Sequence, residues 1–411
     1  MNQFNNRPSI LFVEQYIYPE GWSGAQISRD IINYFDDQGI RVQAICGTTF
    51  YQKPFNSENY EVLNQGVNLI KEKTLKSNKN IFKNLLNQIL FCFKACLRIL
   101  FIKKKIDCLI IQTNPPLFLI FAALISFFKG IPLVVIAMDI YPEHLLASLK
   151  LKFFRKEFQK IFNFLFNISY KKASAVISLG KSSTKILRRK GVSIQRIYEI
   201  NNWATGNLQR INHKDNYLYK TWNLPKQSFN ILYSGNLGYA HEYQTITDAI
   251  KKLEKFNYKI KCLFVVSGRK VDLAKRYSSN LNLNHLISFH KILSPEMIPY
   301  SFSLSKLALV TIDENYSGIV YPSKLYGYLA RGLPVLYIGP KNDISELLLK
   351  HSCGFSFRNN DSQGISDLIS DLINNDKLIN NYSLAAKECY EENFSSQIAL
   401  KKYYSIVSKF L

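Results

Sequence analysis

The sequence predicts an α/β chain of two doubly wound domains, each a parallel sheet covered by helices on both faces. Three observations lead there. Short β-branched and apolar runs alternate with helical segments in two separate series, the pattern of parallel strands buried on both faces. A polar stretch mixing Asn, Lys, Gly and Pro divides the two series. Finally, 411 residues, 47% hydrophobic and 20% charged, can bury two or three cores, which excludes a disordered tail or a solvated coiled coil. The resulting division is a first domain over residues 1–205, a linker over 206–229, a second domain over 230–392, and a C-terminal helix over 393–411 that returns to the first domain.

In the first series the opening strand is Ile10–Val13. The loop after it ends in Ser23-Gly24-Ala25 and opens a helix reaching about Asp37. A small-residue turn there lets a phosphate approach the unpaired N–H groups of the helix start, while a glycine before a helix is also common for structural reasons alone. Strands follow at Val42–Cys46, Cys108–Gln112, Leu133–Ala137, Ala175–Leu179 and Ile197–Ile200. Pro115–Phe128 is apolar throughout and reads as a buried helix feeding the strand Ile131–Ala137. The segment AMDIYPEHLL (Ala137–Leu146) puts Asp139, Glu143 and His144 where the ligand end of the sheet opens. Asp139 and Glu143 are candidate catalytic carboxylates, with helix capping as the alternative.

The chain carries 53 Lys+Arg against 30 Asp+Glu, a net charge of +23, and residues 1–210 hold +16 of it. Lys71–Lys105 contains ten basic residues and one acid, Glu72; Lys150–Lys172 contains seven and one acid, Glu157. Both stretches are rich in Phe, Leu and Ile. In the second, Phe154, Phe158, Ile161, Phe162 and Leu165 recur at helical spacing. One reading is a pair of core helices with solvated basic backs. The other, which the placement of the charge favours, is a pair of helices resting on an anionic membrane surface. Lys94 and Arg98 interrupt the first run before the roughly 20 apolar residues a spanning helix needs. No RNP-like strand, helix-turn-helix or zinc finger organises the charge, so no nucleic-acid partner is expected. Seven singly scattered cysteines without a CxxC argue against a disulfide scaffold and for a reducing compartment. The amino end lacks an apolar core of signal-peptide length, which gives the expectation of a cytoplasmic protein.

The second series begins at Asn230 with the strand ILYSG, then a helix over Tyr243–Lys255, the strand CLFVVSG, and strands at Leu286–Phe289 and Leu307–Thr311. A helix over Ser323–Ala330 and a strand over Pro334–Ile338 complete it. YSGNLGYAHEY (Tyr233–Tyr243) supplies permissive backbone at Gly235 and Gly238, with His241 and Glu242 at the following helix's first turn. It reads as a phosphate cradle and is not the dinucleotide GxGxxG fingerprint. VVSGRK (Val265–Lys270) ends a strand with Gly268 and two cations, Arg269 and Lys270: an ordinary turn, or backbone beside a ligand. YPSKLYGYLARGLPVLYIG (Tyr321–Gly339) is the most specific segment. Pro322 and Ser323 begin a helix with Ser323 as N-cap. Lys324 in its first turn opposes the helix dipole, which makes sense if an anion lies there. Gly327 interrupts that helix at about 1 kcal/mol relative to Ala, pointing to a close backbone or ligand contact. No Asp-x-Asp, HExxH or His/Asp cluster has metal-ligand spacing, so neither a metal nor another cofactor is expected.

In chain order, the Ser-Gly-Ala turn, D-I-Y-P-E, I-S-L-G, N-N-W, Y-S-G-N-L-G-x-x-H-E and P-S-K-L-Y-G-Y-L-A-x-G-x-P-V-L resemble the family 4 glycosyltransferases of the GT-B fold. The likeness covers nearly the whole chain and is nearest to the bacterial branch that builds capsule, O-antigen and exopolysaccharide units. It implies two Rossmann-like domains facing across a cleft, a nucleotide-sugar in the second and an acceptor against the first. By this resemblance the donor diphosphate meets the Gly24 backbone from one side and Gly235, Asn236, Ser323 and Lys324 from the other. The nucleobase lies against His290–Leu293, which includes Lys291 and Ile292, and Asp139 faces the acceptor end. Three positions depart from the family pattern. Ser23-Gly24 replaces a Gly-Gly, Asn236 and His241 stand where the family has Arg and Lys, and Ile319 and Gly327 replace its spaced pair of glutamates. Lys324 therefore carries more of the phosphate-binding charge.

The activity so implied is retaining, metal-independent transfer of a hexosyl or N-acetylhexosaminyl group. The acceptor would be lipid-linked, on a polyprenyl diphosphate, or a glycan, at the inner face of the cytoplasmic membrane in surface-polysaccharide or lipopolysaccharide biosynthesis. Two alternatives keep the fold: a nucleotide-sugar epimerase, and a catalytically inactive nucleotide-sugar-binding assembly partner.

Overall fold

A computed structural model describes residues 7–17, 23–48, 63–75, 81–149, 156–212, 216–225, 227–256 and 258–411, with the side chains at 81, 82, 148, 149 and 158 excepted. Phe154 and the Phe158 side chain, both on the apolar face expected above, lie outside that description. The chain forms two compact units. The first comprises residues 1–202, Gly318–Tyr321 and Ser396–Leu411; the second comprises Trp203–Ser317 and Pro322–Ser395.

The first unit runs β1 (Ser9–Val13), α1 (Ser23–Asp37), β2 (Arg41–Gly47), β3 (Asn68–Glu72), α2 (Ile81–Phe101), β4 (Cys108–Gln112), α3 (Phe118–Lys129) and β5 (Leu133–Ala137). It continues through α4 (Glu143–Leu149), α5 (Lys156–Lys172), β6 (Ala175–Ser178), α6 (Lys181–Arg189) and β7 (Ile197–Glu199). The seven strands pair in parallel in the order β3-β2-β1-β4-β5-β6-β7. Every residue of β1, β4, β5 and β6 is buried, as a central strand covered on both faces requires. Sheet order reverses between β1 and β4, the place where such sheets hold ligands beyond their carboxyl ends.

The second unit runs α7 (Leu218–Thr221), β8 (Phe229–Asn236), α8 (Gln244–Leu253), β9 (Ile260–Ser267), α9 (Val271–Asn280), β10 (Ile287–His290), α10 (Ile298–Ser303) and β11 (Leu307–Thr311). Then come α11 (Lys324–Ala330), β12 (Val335–Ile338), α12 (Asp343–Lys350), β13 (Gly354–Phe357), α13 (Ser362–Ile373) and α14 (Asp376–Asn393). The last helix, α15 (Ser396–Val407), packs on α1 within the first unit. The six strands are parallel in the order β10-β9-β8-β11-β12-β13, so the order reverses between β8 and β11.

Three expectations change. The polar stretch over 206–229 is not a free connector: Leu218 and Leu224 are buried in the second unit, and Asn216 donates to the Tyr300 carbonyl at 2.7 Å. The apolar helix α3 is buried on one face only. Phe118 and Leu119 enter the core, while Phe127 and Phe128 are 67% and 77% exposed. The helix Lys83–Phe101 is long and apolar enough to cross a membrane by length and composition, despite Lys94 and Arg98. Yet it buries Phe91, Cys92, Ala95 and Ile99 fully in the core beside the sheet, because those positions share one helical face.

Candidate functional site

In the second unit the turn after β8 meets the end of β11 and the start of α11. Tyr233, fully buried in β8, donates from its hydroxyl to the Asn236 carbonyl at 2.9 Å and so fixes the carboxyl end of the strand around Gly235. Tyr328 of α11 accepts the Ser234 N–H at its hydroxyl, 2.7 Å away, tying α11 to the same turn. Gly235 has φ +117°, and a Cβ there would meet only Lys324 Cε, at 3.8 Å. The left-handed backbone thus opens onto space bordered by Lys324. The Lys324 amine is buried and has no hydrogen-bond partner among the described residues; it lies 3.7 Å from the centroid of the Tyr233 ring. Burial holds its pKa well below the ordinary lysine range.

His241 and Glu242 pin the turn to β11. His241 Nδ1 lies 2.8 Å from the Thr311 carbonyl, and since a carbonyl only accepts, Nδ1 carries the proton. Burial, then the nearby Lys324, pushes the His241 pKa well below its usual value, so the ring is neutral. The Glu242 N–H donates to Thr311 Oγ1 at 3.1 Å, and its Oε1 accepts the Thr245 N–H at 2.7 Å, capping α8. Glu242 Oε2 is buried without a partner among the described residues, and burial raises its pKa. Lys270 spans the turn from below, donating to the carbonyls of Tyr239 and His241 at 2.8 and 2.5 Å.

The other residues expected here are placed as follows. At Gly268, with φ +121°, a Cβ would collide with Asn236 Oδ1 and lie 2.7 Å from the Leu237 carbonyl, so this glycine lets two turns pack closely. Gly238 is similarly tight, with Asn236 Nδ2 3.1 Å from a built Cβ. Gly327 is not a close-contact position, because a Cβ there meets only Arg331 Nη1 at 3.6 Å and Phe302 at 3.8 Å. Ser323 occupies the N-cap position of α11 behind the buried Pro322, but in helical conformation, and its side chain makes no capping bond. Arg269 stacks on Tyr239 and donates to its hydroxyl at 3.1 Å. Lys291 is exposed and Ile292 partly buried in the loop after β10. One face of His290, the last residue of β10, is already covered by Trp222, ring centroids 4.0 Å apart.

In the first unit Gly24 is buried in the first turn of α1. Asp139 follows β5, bridges Val320 through its backbone, and exchanges hydrogen bonds with Thr113 Oγ1. Burial raises its carboxyl pKa, partly offset by His144. Glu143 is not a free carboxylate: its Oε1 pairs at 2.7 Å with Lys190 Nζ, whose side chain is 4% exposed. Ile319, at one of the replaced glutamate positions, accepts the Ile140 N–H at its carbonyl, 3.3 Å away. The β1/β4 switch point also holds a polar set that sequence reasoning passed over. Ser28 donates to Glu14 Oε2 and accepts from Gln112 Nε2, and the fully buried Gln15 has neither amide atom paired among the described residues. Among the described residues no group of three His, Cys, Asp or Glu is placed to hold a metal.

Residues 218–389 match the family model described as glycosyl transferases group 1. With the two doubly wound sheets, this defines the class: the chain is a glycosyltransferase of the GT-B fold. Among curated proteins it is similar to the probable glycosyltransferase WbjE of Pseudomonas aeruginosa, 24% identical over 341 residues that cover 82% of this chain and 83% of that one. Among solved structures, Anabaena HepE in complex with UDP superposes with a TM-score of 0.70 at 17% identity, covering 98% of this chain and all of the other. WaaG, a glycosyltransferase involved in lipopolysaccharide biosynthesis, superposes with a TM-score of 0.68 at 12% identity, over 97% and 99% of the two chains.

Proposed function

We propose that this enzyme is a retaining, metal-independent transferase that takes a hexosyl or N-acetylhexosaminyl group from a nucleotide-sugar held at the β8/β11 switch point. The acceptor is a lipid-linked (polyprenyl diphosphate) or glycan hydroxyl in surface-polysaccharide biosynthesis of the family 4 kind. One observation carries the reading. A buried amine without a hydrogen-bond partner among the described residues borders a left-handed glycine at the ligand end of a parallel sheet. Leaving such an amine unpaired is costly, and an anion with several acceptor oxygens placed against it removes that cost. The donor diphosphate has that chemistry, and it gains charge as the bond to the sugar breaks, when Lys324 stabilises it most. The bond from the sugar's anomeric carbon to phosphate breaks, the acceptor oxygen bonds that carbon, and the acceptor proton passes to the leaving phosphate. Neutral His241 and Glu242, which caps α8, hold the turn, and Asp139 of the first unit is the candidate catalytic carboxylate.

The apolar, basic helices of the first unit favour a transferase working at an anionic membrane surface over an epimerase or an inactive binding partner, neither of which needs such a face. Incubation with UDP-, GDP- and TDP-sugars, with nucleoside diphosphate release as the readout, tests the activity. Release from at least one sugar is expected, and none from any would count heavily against it.

A further inference from the structure

The outer faces of α2, α3 and α5 form an apolar surface on the first unit. α3 packs against both of the others, and the inner stripes of all three are core. On the outside, Phe93, Phe101, Phe127, Phe128 and Phe164 are 58–78% exposed. A monomeric surface seldom leaves so many large apolar side chains together without a use. Beside this face, between the C-terminal part of α2 and the edge strand β3, lies a groove of about 540 Å³. Its floor is apolar, and Leu97 and Phe101 belong both to the groove and to the exposed face, so the two are continuous.

The cations of the groove are Lys94, Arg98, Lys103 and Lys104, against one acid, Glu72. Arg98 Nε is paired with Glu72 at 2.8 Å, and Lys94 donates to the Lys73 carbonyl at 2.7 Å. Lys103 and Lys104 make no ion pair among the described residues and stand exposed at the mouth. Two fixed cations, two free ones and an apolar wall match a negatively charged phosphodiester carrying acyl chains.

We propose that the groove between α2 and β3 binds the phosphate headgroup of an anionic glycerophospholipid while the phenylalanines of the adjoining face enter the acyl layer. This rests on the membrane-surface reading above and names the contact. It is tested by flotation of the full chain with vesicles of phosphatidylcholine alone or with phosphatidylglycerol. The wild type is compared with the groove pair Lys103→Gln/Lys104→Gln, the face pair Phe127→Ser/Phe128→Ser, and a charge-matched control on α15, Lys401→Gln/Lys402→Gln. Each protein's thermal unfolding is measured alongside to establish that it folds.

The wild type should float with the anionic vesicles at least about tenfold more than with the neutral ones, since each lysine near an anionic surface contributes measurably. The groove pair should lose about tenfold in anionic binding, the control pair much less, and the face pair should lose binding to both vesicles. Equal losses in groove and control pairs would overturn the headgroup site while leaving the membrane reading standing. Failure of the wild type to float with either vesicle would overturn both. A dimer dissolved by the face pair, with no vesicle binding, would assign the face to a second copy of the chain. Nucleoside diphosphate release by the same proteins reports on the transferase reading separately, because none of these side chains lies in the donor site.

Discussion

Lys324 destabilises the ligand-free protein where it sits. Its amine is buried without a hydrogen-bond partner among the described residues, and lies over the face of Tyr233. Lys324→Met keeps the shape and removes the polar head, so the ligand-free variant should be more stable by about 1–3 kcal/mol in denaturant unfolding. Burial holds the folded pKa of Lys324 below the unfolded one, so in the pH range between them the unfolded chain binds more protons there. The gain should therefore grow as pH falls below the ordinary lysine value of 10.5. A variant less stable than wild type would mean that the amine is satisfied in the native state. His241 gives a second test of the same turn. Its folded pKa also lies well below the ordinary 6.5, so wild-type stability should fall with pH below that value, by at most about 1.4 kcal/mol per unit. His241→Asn, which can still donate to Thr311, should flatten that acid limb, and an unchanged limb would show that another group sets it. Gly235 and Lys324 were legible because glycine and a misplaced charge leave local signatures. Glu14 and Gln112 were not, because only the adjacency of β1 and β4 brings them to either side of Ser28.

Among elements, the turns after β8 and β9 are built against each other and α11 is not constrained in that way. Gly268→Ala should destabilise by more than the roughly 1–2 kcal/mol of left-handed strain, because the new methyl also meets the Leu237 carbonyl. Gly327→Ala, with room for its methyl inside a helix, should stabilise by about 1 kcal/mol. Thermal or urea unfolding of the pair checks both signs; equal effects would mean that the two glycines serve the same purpose. Most strands could be read from sequence because a central parallel strand is a continuous apolar run, as β4 and β5 are. The edge strand β3 could not. Its NLIKE is half-exposed, carries Lys71 and Glu72, and lies within a stretch that reads as basic insertion. The buried helix expected at Pro115–Phe128 failed for a related reason: composition alone does not show which face of an all-apolar helix meets the core.

At the scale of the whole molecule, two sheets with their order reversing at β1/β4 and β8/β11 place one ligand end in each unit. The second holds the buried Lys324 amine beside Gly235. The first carries most of the positive charge and the exposed phenylalanines. Donor recognition at Lys324 is the claim on which the rest depends, and calorimetric titration of wild type and Lys324→Met with the nucleotide-sugar that the wild type turns over measures it directly. Loss of one charge-assisted contact of about 1.5–3 kcal/mol predicts a roughly 10- to 100-fold weaker Kd in a variant that remains folded. An unchanged Kd would place the donor elsewhere and contradict the account.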